Sequence, residues 1–498
     1  MSTFIRSSIA ITIALMLTPL ATSAQSISDG VRLATELIPT NSRNEAMGGN
    51  LISAADGYSA LDANPAALAP LAQKEFALSL YNRSYNSTAM FLGNSAQASL
   101  SNLALSSLGL AYPYPTVQGH LAVAVSYDRV RDYHATYGFK GVNPNSSLFN
   151  TKDFVLDPGI IAGSAGNHQY LVDNNLAYAL YLTNDVNDTG AVTLVSPYTG
   201  GLQQSGTVTA EGHLDAVRVG AGVDIAEGVS AGATLNLFFG TYDYNRDYNE
   251  TDVAGIYSAK GFQSANIIDA IHEDQSGASL KLGLLVNKFD LVRFGLTVET
   301  PQVIHVVRTF DRTGTSDFSG GHVYSSSNMA DQHGWVDEYN LVSPMRLGAG
   351  ASLHLLDATA SASISYTDMT QIRFENADVP VDDLNQSART LLRSVLSIHV
   401  GGEYVIPVIG LSLRAGFAIE PSPFAGDPST FDTKTLSGGL GLLLSKSVLL
   451  EASIRHTTYH TLHTIYNDFT LSGTPVSANV DDDAVKRDDI AVSFNYRF

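Results

Sequence analysis

Residues 490–498 read I-A-V-S-F-N-Y-R-F, with apolar side chains at Ile490, Val492, Phe494, Tyr496 and Phe498 and small or polar ones between them. Successive side chains of a β-strand point to opposite faces, so this stretch has one oily face and one wet face. The same alternation recurs along the chain. Beyond the first two dozen residues no apolar run reaches about 18 residues, which excludes helical membrane spans. Yet 44% of the residues are hydrophobic and only 15% are charged. Apolar content spread as alternation points to an all-β fold, a transmembrane antiparallel β-barrel.

Residues 1–24 read as a signal peptide. Arg6 supplies positive charge, residues 9–17 form a short apolar core, and Thr22, Ser23 and Ala24 offer small side chains for cleavage before Gln25. A retained anchor helix is the alternative. Cysteine is absent, so lipoprotein anchoring, disulfides and thiolate metal sites are excluded. The formal charge of −20 lacks the basic face that nucleic acid requires. Acid gathers at Asp243 and Asp247, at Asp331, at Asp382 and Asp383, and from Asp481 to Asp483. Solvated loops account for it; divalent-cation bridging to anionic lipid is the sharper alternative.

Fourteen strands are expected, at 74–85, 97–112, 118–133, 207–225, 229–245, 275–287, 291–310, 335–355, 358–374, 391–406, 411–420, 433–445, 448–461 and 488–498. Their connections alternate in length. Those at 113–117, 226–228, 288–290, 356–357, 407–410 and 446–447 are short; those at 86–96, 134–206, 246–274, 311–334, 375–390, 421–432 and 462–487 are long. Short periplasmic turns and long external loops are the pattern of outer-membrane barrels. The segment 134–206 is long enough to hide another hairpin around 176–182, which would make sixteen strands.

The two faces are assignable. Leu411, Leu413, Ala415, Phe417 and Ile419 oppose Ser412, Arg414 and Gly416; Ile364 and Tyr366 oppose Ser363, Ser365 and Thr367. A charge facing lipid at mid-depth costs about 2–4 kcal/mol, so the polar set must face the lumen. That places Arg218, Lys281, Arg293, Arg346, Arg414 and Arg455 inside, with Glu299, Glu403 and Glu451. Residues 25–73 precede the first strand without period-two alternation and are too apolar for a disordered tail. They are expected to fold into the lumen of the barrel, residues 74–498, as a plug; a periplasmic extension is the alternative.

Ala46-Met47-Gly48-Gly49, followed by Asn64-Pro65-Ala66-Ala67-Leu68, resembles the N-terminal hatch of the FadL/TodX family of outer-membrane transporters for long-chain fatty acids and aromatic hydrocarbons. Ser343-Pro344-Met345-Arg346-Leu347-Gly348, Gly401-Gly402-Glu403-Tyr404 and Leu413-Arg414-Ala415-Gly416-Phe417 resemble its strand pattern. The resemblance implies a fourteen-stranded barrel around a hatch that includes Gly48, Gly49, Asn64, Pro65 and Ala66. It implies passive uptake of a hydrophobic small molecule in the outer membrane of a Gram-negative bacterium. The implied partners are outer-membrane lipid and lipopolysaccharide, and an assembly machinery that reads the C-terminal strand. A monomer is expected. Should the substrate carry a carboxylate, lumenal guanidinium groups are its natural partners, Arg346 and Arg414 first. Pairing of these arginines with Glu299, Glu403, Glu451 or the hatch Glu45 is the alternative. Apolar islands at 154–156 and 159–162 fit either a capture groove or a loop packed on its neighbours.

Other constellations are weak. His456 and His460 share a strand face while His463 does not, so no metal is expected. No G-x-S-x-G elbow is present and Gly438-Gly439-Leu440-Gly441 lacks the context of a phosphate loop, so neither catalysis nor a cofactor is expected. The competing roles are a shuttle of type IX secretion resembling PorV, and a general porin.

Overall fold

Fourteen antiparallel strands close into one ring in the computed structural model. It describes residues 26–35, 39–164, 167–187, 192–288, 291–329, 334–377 and 380–498. The signal-peptide reading over residues 1–24 and the acid at Asp331 lie outside them. The wall strands are β1 (Glu75–Phe91), β2 (Asn94–Tyr114), β3 (Leu121–Asp132, resuming as Ala135–Asn143), β4 (Leu202–Ala226), β5 (Val229–Thr251), β6 (Phe262–Val286) and β7 (Val292–Glu299, resuming as Val303–Phe318). They continue with β8 (Trp335–Val342, resuming as Arg346–Leu355), β9 (Ala358–Asp368, resuming as Arg373–Glu375), β10 (Ser394–Ile406), β11 (Leu411–Glu420), β12 (Thr433–Ser445), β13 (Val448–Phe469) and β14 (Pro475–Arg497). Each pairs with its chain neighbour, and β1 pairs with β14 from Glu75↔Arg497 upward. Lys74 and Phe498 exchange two backbone hydrogen bonds at 3.2 and 3.0 Å, which locks the seam.

The outward face is apolar where the sequence places it: Leu413, Phe417, Ile364, Tyr366, Ile490 and Val492 are all exposed, while Ser412, Arg414, Ser363 and Ser365 are buried inside. Along β5 the outward set runs Ala231, Ala233, Leu235, Leu237, Phe239 and then turns polar at Thr241, Asp243, Asn245, Asp247 and Asn249. The apolar band ends there, and about ten further residues of β5 stand above it.

This corrects the expected loops. Most of the long connections are strands that continue past the apolar band and lose their apolar outer face there. The connection at 86–96 is a two-residue turn, with Leu92 (φ 50°) and Gly93 (φ 81°) both left-handed, as a type I′ hairpin requires. The stretch 462–487 is mostly strand, turning between Phe469 and Pro475. The possible extra hairpin near 176–182 is a helix, Leu176–Ala179, and the nearby pair Asn184–Asp185 with Leu194–Val195 stays apart from the ring. The islands at 154–156 are packed rather than open, since Phe154 and Val155 lie in a cluster with Phe149, Phe91 and Tyr248.

Candidate functional site: the hatch and two lumenal cavities

Residues 39–69 lie almost wholly buried inside the ring. Three rows of glycine in the wall receive them. Gly222, Gly232 and Gly283 sit side by side on β4, β5 and β6, and a Cβ on Gly222 or Gly232 would fall 2.5–2.6 Å from Pro65 O or Ala66 N. Gly295 faces Gly350 across β7 and β8 beneath Ile52, and Gly401 faces Gly416 across β10 and β11 beneath Met47 and Gly48. Only a residue without Cβ lets one backbone approach another this closely.

The hatch residues read from the sequence hold its turns. Gly48 (φ 83°) and Gly49 (φ 89°) are left-handed, and His399 Nδ1 lies 2.7 Å from Gly48 O. Asn64 is extended (φ −161°) before Pro65, as a residue preceding proline prefers. Its side chain donates to Ile52 O and Leu284 O and accepts from Ala66 N, stitching the turn to β6. The helix α1 (Ile27–Ala34) begins at a capping box in which Ser26 and Asp29 bond each other reciprocally. A second helix, α2 (Ser42–Ala46), is capped by Asn41.

The six lumenal cations divide by depth. Arg218 is fully buried and pairs with Asp62 of the hatch (2.9 Å) and Asp128 (2.8 Å). Lys281 donates to Asp62 O (2.6 Å) and pairs with Glu299 (3.3 Å). Arg414 lies between Glu403 (2.5 Å) and Glu451 (2.7 Å), with hatch Arg43 forked on the other side of Glu403. Arg293 stands near the short-turn end, bonded to Asn287. Arg455 pairs with Asp489 (2.8 Å) and approaches Glu45 (3.8 Å). Arg346 donates to Ala34 O and Thr35 O at the C-terminus of α1, where the helix dipole favours a cation. Arg218, Lys281, Arg414 and Arg455 thus engage carboxylates that wedge the hatch, and Arg346 and Arg455 also border open space.

That space lies on either side of α1. One cavity, of about 370 Å³, is bordered by Arg32, Arg131, Tyr133, Tyr137, Tyr244, His463 and Arg487. The other, of about 490 Å³, is bordered by Val31, Ala34, Met369, Val395, Phe424 and Phe431. Thr35, Glu420 and Thr433 border both, so α1 is the partition. Below it the space between hatch and wall is divided into smaller pockets, one of about 50 Å³ and one of about 160 Å³ lined by Arg43, Glu403 and Arg414. The partition is held by packing of Leu33 and Ala34 in a cluster with Ile304, Leu341 and Phe374, and by charge. Asp29 meets Arg308 (2.9 Å), Arg32 meets Glu273 (2.9 Å) and lies 3.6 Å over the Tyr242 ring, and Arg131 reaches Thr35 O.

Several of these residues escape sequence reasoning. Arg131 follows a bulge between Arg129 and Arg131, so Val130 and Arg131 both turn inward and the period-two signal fails. Arg487 falls one residue outside the expected last strand, and Arg32 lies on the hatch. The histidines separate as expected. His456 and His460 face outward beside Asp488 and Asp481, whereas His463 faces in and stacks on Tyr137 at 3.8 Å. No group of three or more potential metal ligands occurs among the described residues.

Fold and contents together define a β-barrel stoppered from within, with two binding-sized chambers above the stopper. Among solved structures, a FadL homologue of Pseudomonas aeruginosa superposes with TM-score 0.57 at 12% identity, covering 93% of this chain and 100% of that one. The toluene transporter TodX of P. putida gives 0.51 at 13% identity, covering 92% and 99%. A TodX variant described as a monoaromatic hydrocarbon channel gives 0.51 at 14%, covering 92% and 99%. The chain therefore has the FadL/TodX barrel fold. No protein-family model and no curated protein matches it.

Proposed function

We propose that this protein is a passive outer-membrane transporter for hydrophobic small molecules. The observation that carries this reading is the pair of chambers of about 370 and 490 Å³ above a hatch flanked by smaller pockets of about 50 and 160 Å³. Small-molecule sites are concave, largely apolar and of about 300–1,000 Å³. A solute leaves the external loops for the larger chamber, passes α1, and is released when hatch or wall gives way. The wall ladder is interrupted at Tyr133-His134, at Pro301 facing Pro344, and at 369–372, which are candidate points of sideways release. The likeness to FadL and TodX supports the same reading, as does the C-terminal strand suited to the barrel-assembly machinery. A filled lumen disfavours the general porin. We take residues 1–24 as a cleaved signal peptide, the site as lacking cofactor and catalysis, and the protein as a monomer in contact with lipid and lipopolysaccharide.

Reconstitution into liposomes tests this. Saturable uptake of a fatty acid or an aromatic hydrocarbon, with no swelling in small sugars, is the expected result. Sugar leak would identify a porin. Co-purification of a secreted protein without uptake would identify a shuttle like PorV.

A further inference from the structure

The chamber of about 370 Å³ contains donors that neither the seal nor the clamp on α1 consumes. Arg131 is 4% exposed. Its Nη2 donates to Gln302 Oε1 (3.1 Å) and Thr35 O (3.4 Å), but Nε and Nη1 meet no acceptor among the described residues. Arg487 Nε and His463 Nε2, on the same chamber, are also buried without a hydrogen-bond partner, each facing a carboxylate at longer range, Asp489 at 3.8 Å and Asp482 at 4.0 Å. Their neighbours are differently placed. Arg83 and Arg455 hydrogen-bond to Asp489, which Arg487 approaches only at 3.8 Å, and the chamber's Asp132 is taken up by Tyr81, Asn102 and His134. A buried donor left unpaired costs about 1–3 kcal/mol, and more when charged. A wall that keeps such donors together is poised for an acceptor-rich group. Four tyrosines line the same chamber, beside Val208, Ala210, Thr433 and Glu420: Tyr137 stacks flat on His463, Tyr133 meets Tyr242 edge-on at 5.2 Å, and Tyr244 lies alongside.

We propose that this chamber binds an aromatic carboxylate, its carboxylate held by Arg131 and Arg487 and its ring system lying among Tyr133, Tyr137 and Tyr244. The proposal rests on the transport reading and narrows it. The guanidinium fork matches the two carboxylate oxygens, and a flat ring meets tyrosine faces and edges without the ordering cost of a long flexible chain. The chamber across α1 is lined more by apolar side chains, and its Arg346 donates to Ala34 O and Thr35 O, so charge selection is assigned to the Arg131 side of the partition.

Calorimetry on the full-length protein in detergent decides it, with 2-naphthoate, its neutral analogue 2-methylnaphthalene, and palmitate as probes. The expected result is 2-naphthoate binding at least about tenfold tighter than 2-methylnaphthalene, the advantage a charge-assisted pair confers. Arg131→Gln and Arg487→Gln each collapse that ratio toward one. Arg131→Gln also leaves the heat needed for the gel-mobility shift unchanged or higher, because it removes a poorly paired buried charge; that readout separates lost binding from lost fold. Equal binding of the two naphthyl probes overturns the proposal and leaves the transport reading standing. So does a ratio insensitive to both substitutions, or palmitate binding tighter than naphthoate with the same dependence on Arg131. Failure of all three probes to bind overturns the proposal and the transport reading together.

Discussion

The lower and upper halves of the lumen are built on different principles. Below, hatch backbone lies on wall backbone at three glycine rows, and ion pairs such as Arg43–Glu403–Arg414 bridge hatch and wall beside a pocket of about 160 Å³. Above, α1 packs Gly30, Leu33 and Ala34 on one side against Ile372 and Phe374 and reaches the wall elsewhere through ion pairs, and both chambers open beside it. Contact made by shape is all or none, whereas contact made by charge can be tuned or broken one pair at a time. The seal rests mainly on the first kind, and the binding region adds the second to one packed face of α1.

The largest effect should come from spoiling a seat. Gly232→Leu places a side chain where the backbone of Pro65 and Ala66 lies, an overlap that the hatch can relieve only by leaving its seat. The hatch should lift, and sugar-driven liposome swelling should rise at least about tenfold. Unchanged swelling would mean that the glycine rows are not the seal. Next in size is the clamp. Arg308→Ala leaves Asp29 and Glu273 short of a buried partner, a loss of about 3–5 kcal/mol for such pairs. Hydrogen exchange of α1 should accelerate by about a hundredfold or more while Gly48 and Ala66 stay protected. Acceleration throughout the hatch would erase the distinction between the halves.

The smallest effect lies at their border. Burial pushes the Glu45 carboxyl up from 4.5 to about 7, with Arg455 opposing and Asp489 adding to the shift. Between pH 4.5 and about 7 the folded protein holds a proton that the unfolded chain releases, so stability falls as pH rises through that window. The temperature of the gel-mobility shift should therefore drop by a few degrees from pH 5 to pH 8. Glu45→Gln should flatten the slope; a slope that survives it would assign the titration elsewhere.

The ring was legible because lipid enforces strict alternation: Leu413 against Arg414, or Ile364 against Ser365, admits one assignment of faces. Strand length was not legible, since beyond Phe239 the sense of the alternation in β5 reverses, with polar Thr241, Asp243 and Asn245 outward and Tyr242 and Tyr248 buried inward, and the lipid-facing signal is lost. The Leu92-Gly93 turn lacks the Asn-Gly or Asp-Gly signal of its type. For the hatch, the Gly48-Gly49 and Asn64-Pro65 turns could be read. Their seats could not, because a glycine row exists only after three strands are set in register. Arg131 was hidden by one bulge, which defeats parity counting at the place where the upper chamber acquires its unspent charge.

The height of β5 and β6 has one more consequence. About ten residues beyond the lipid-facing belt extend the wall by about 30 Å along the strand. On the transport reading, the rim of this chimney stands well clear of the bilayer surface. An oily solute arriving from outside first chooses between water and protein, and lipid becomes a competitor only after the solute has descended the shaft.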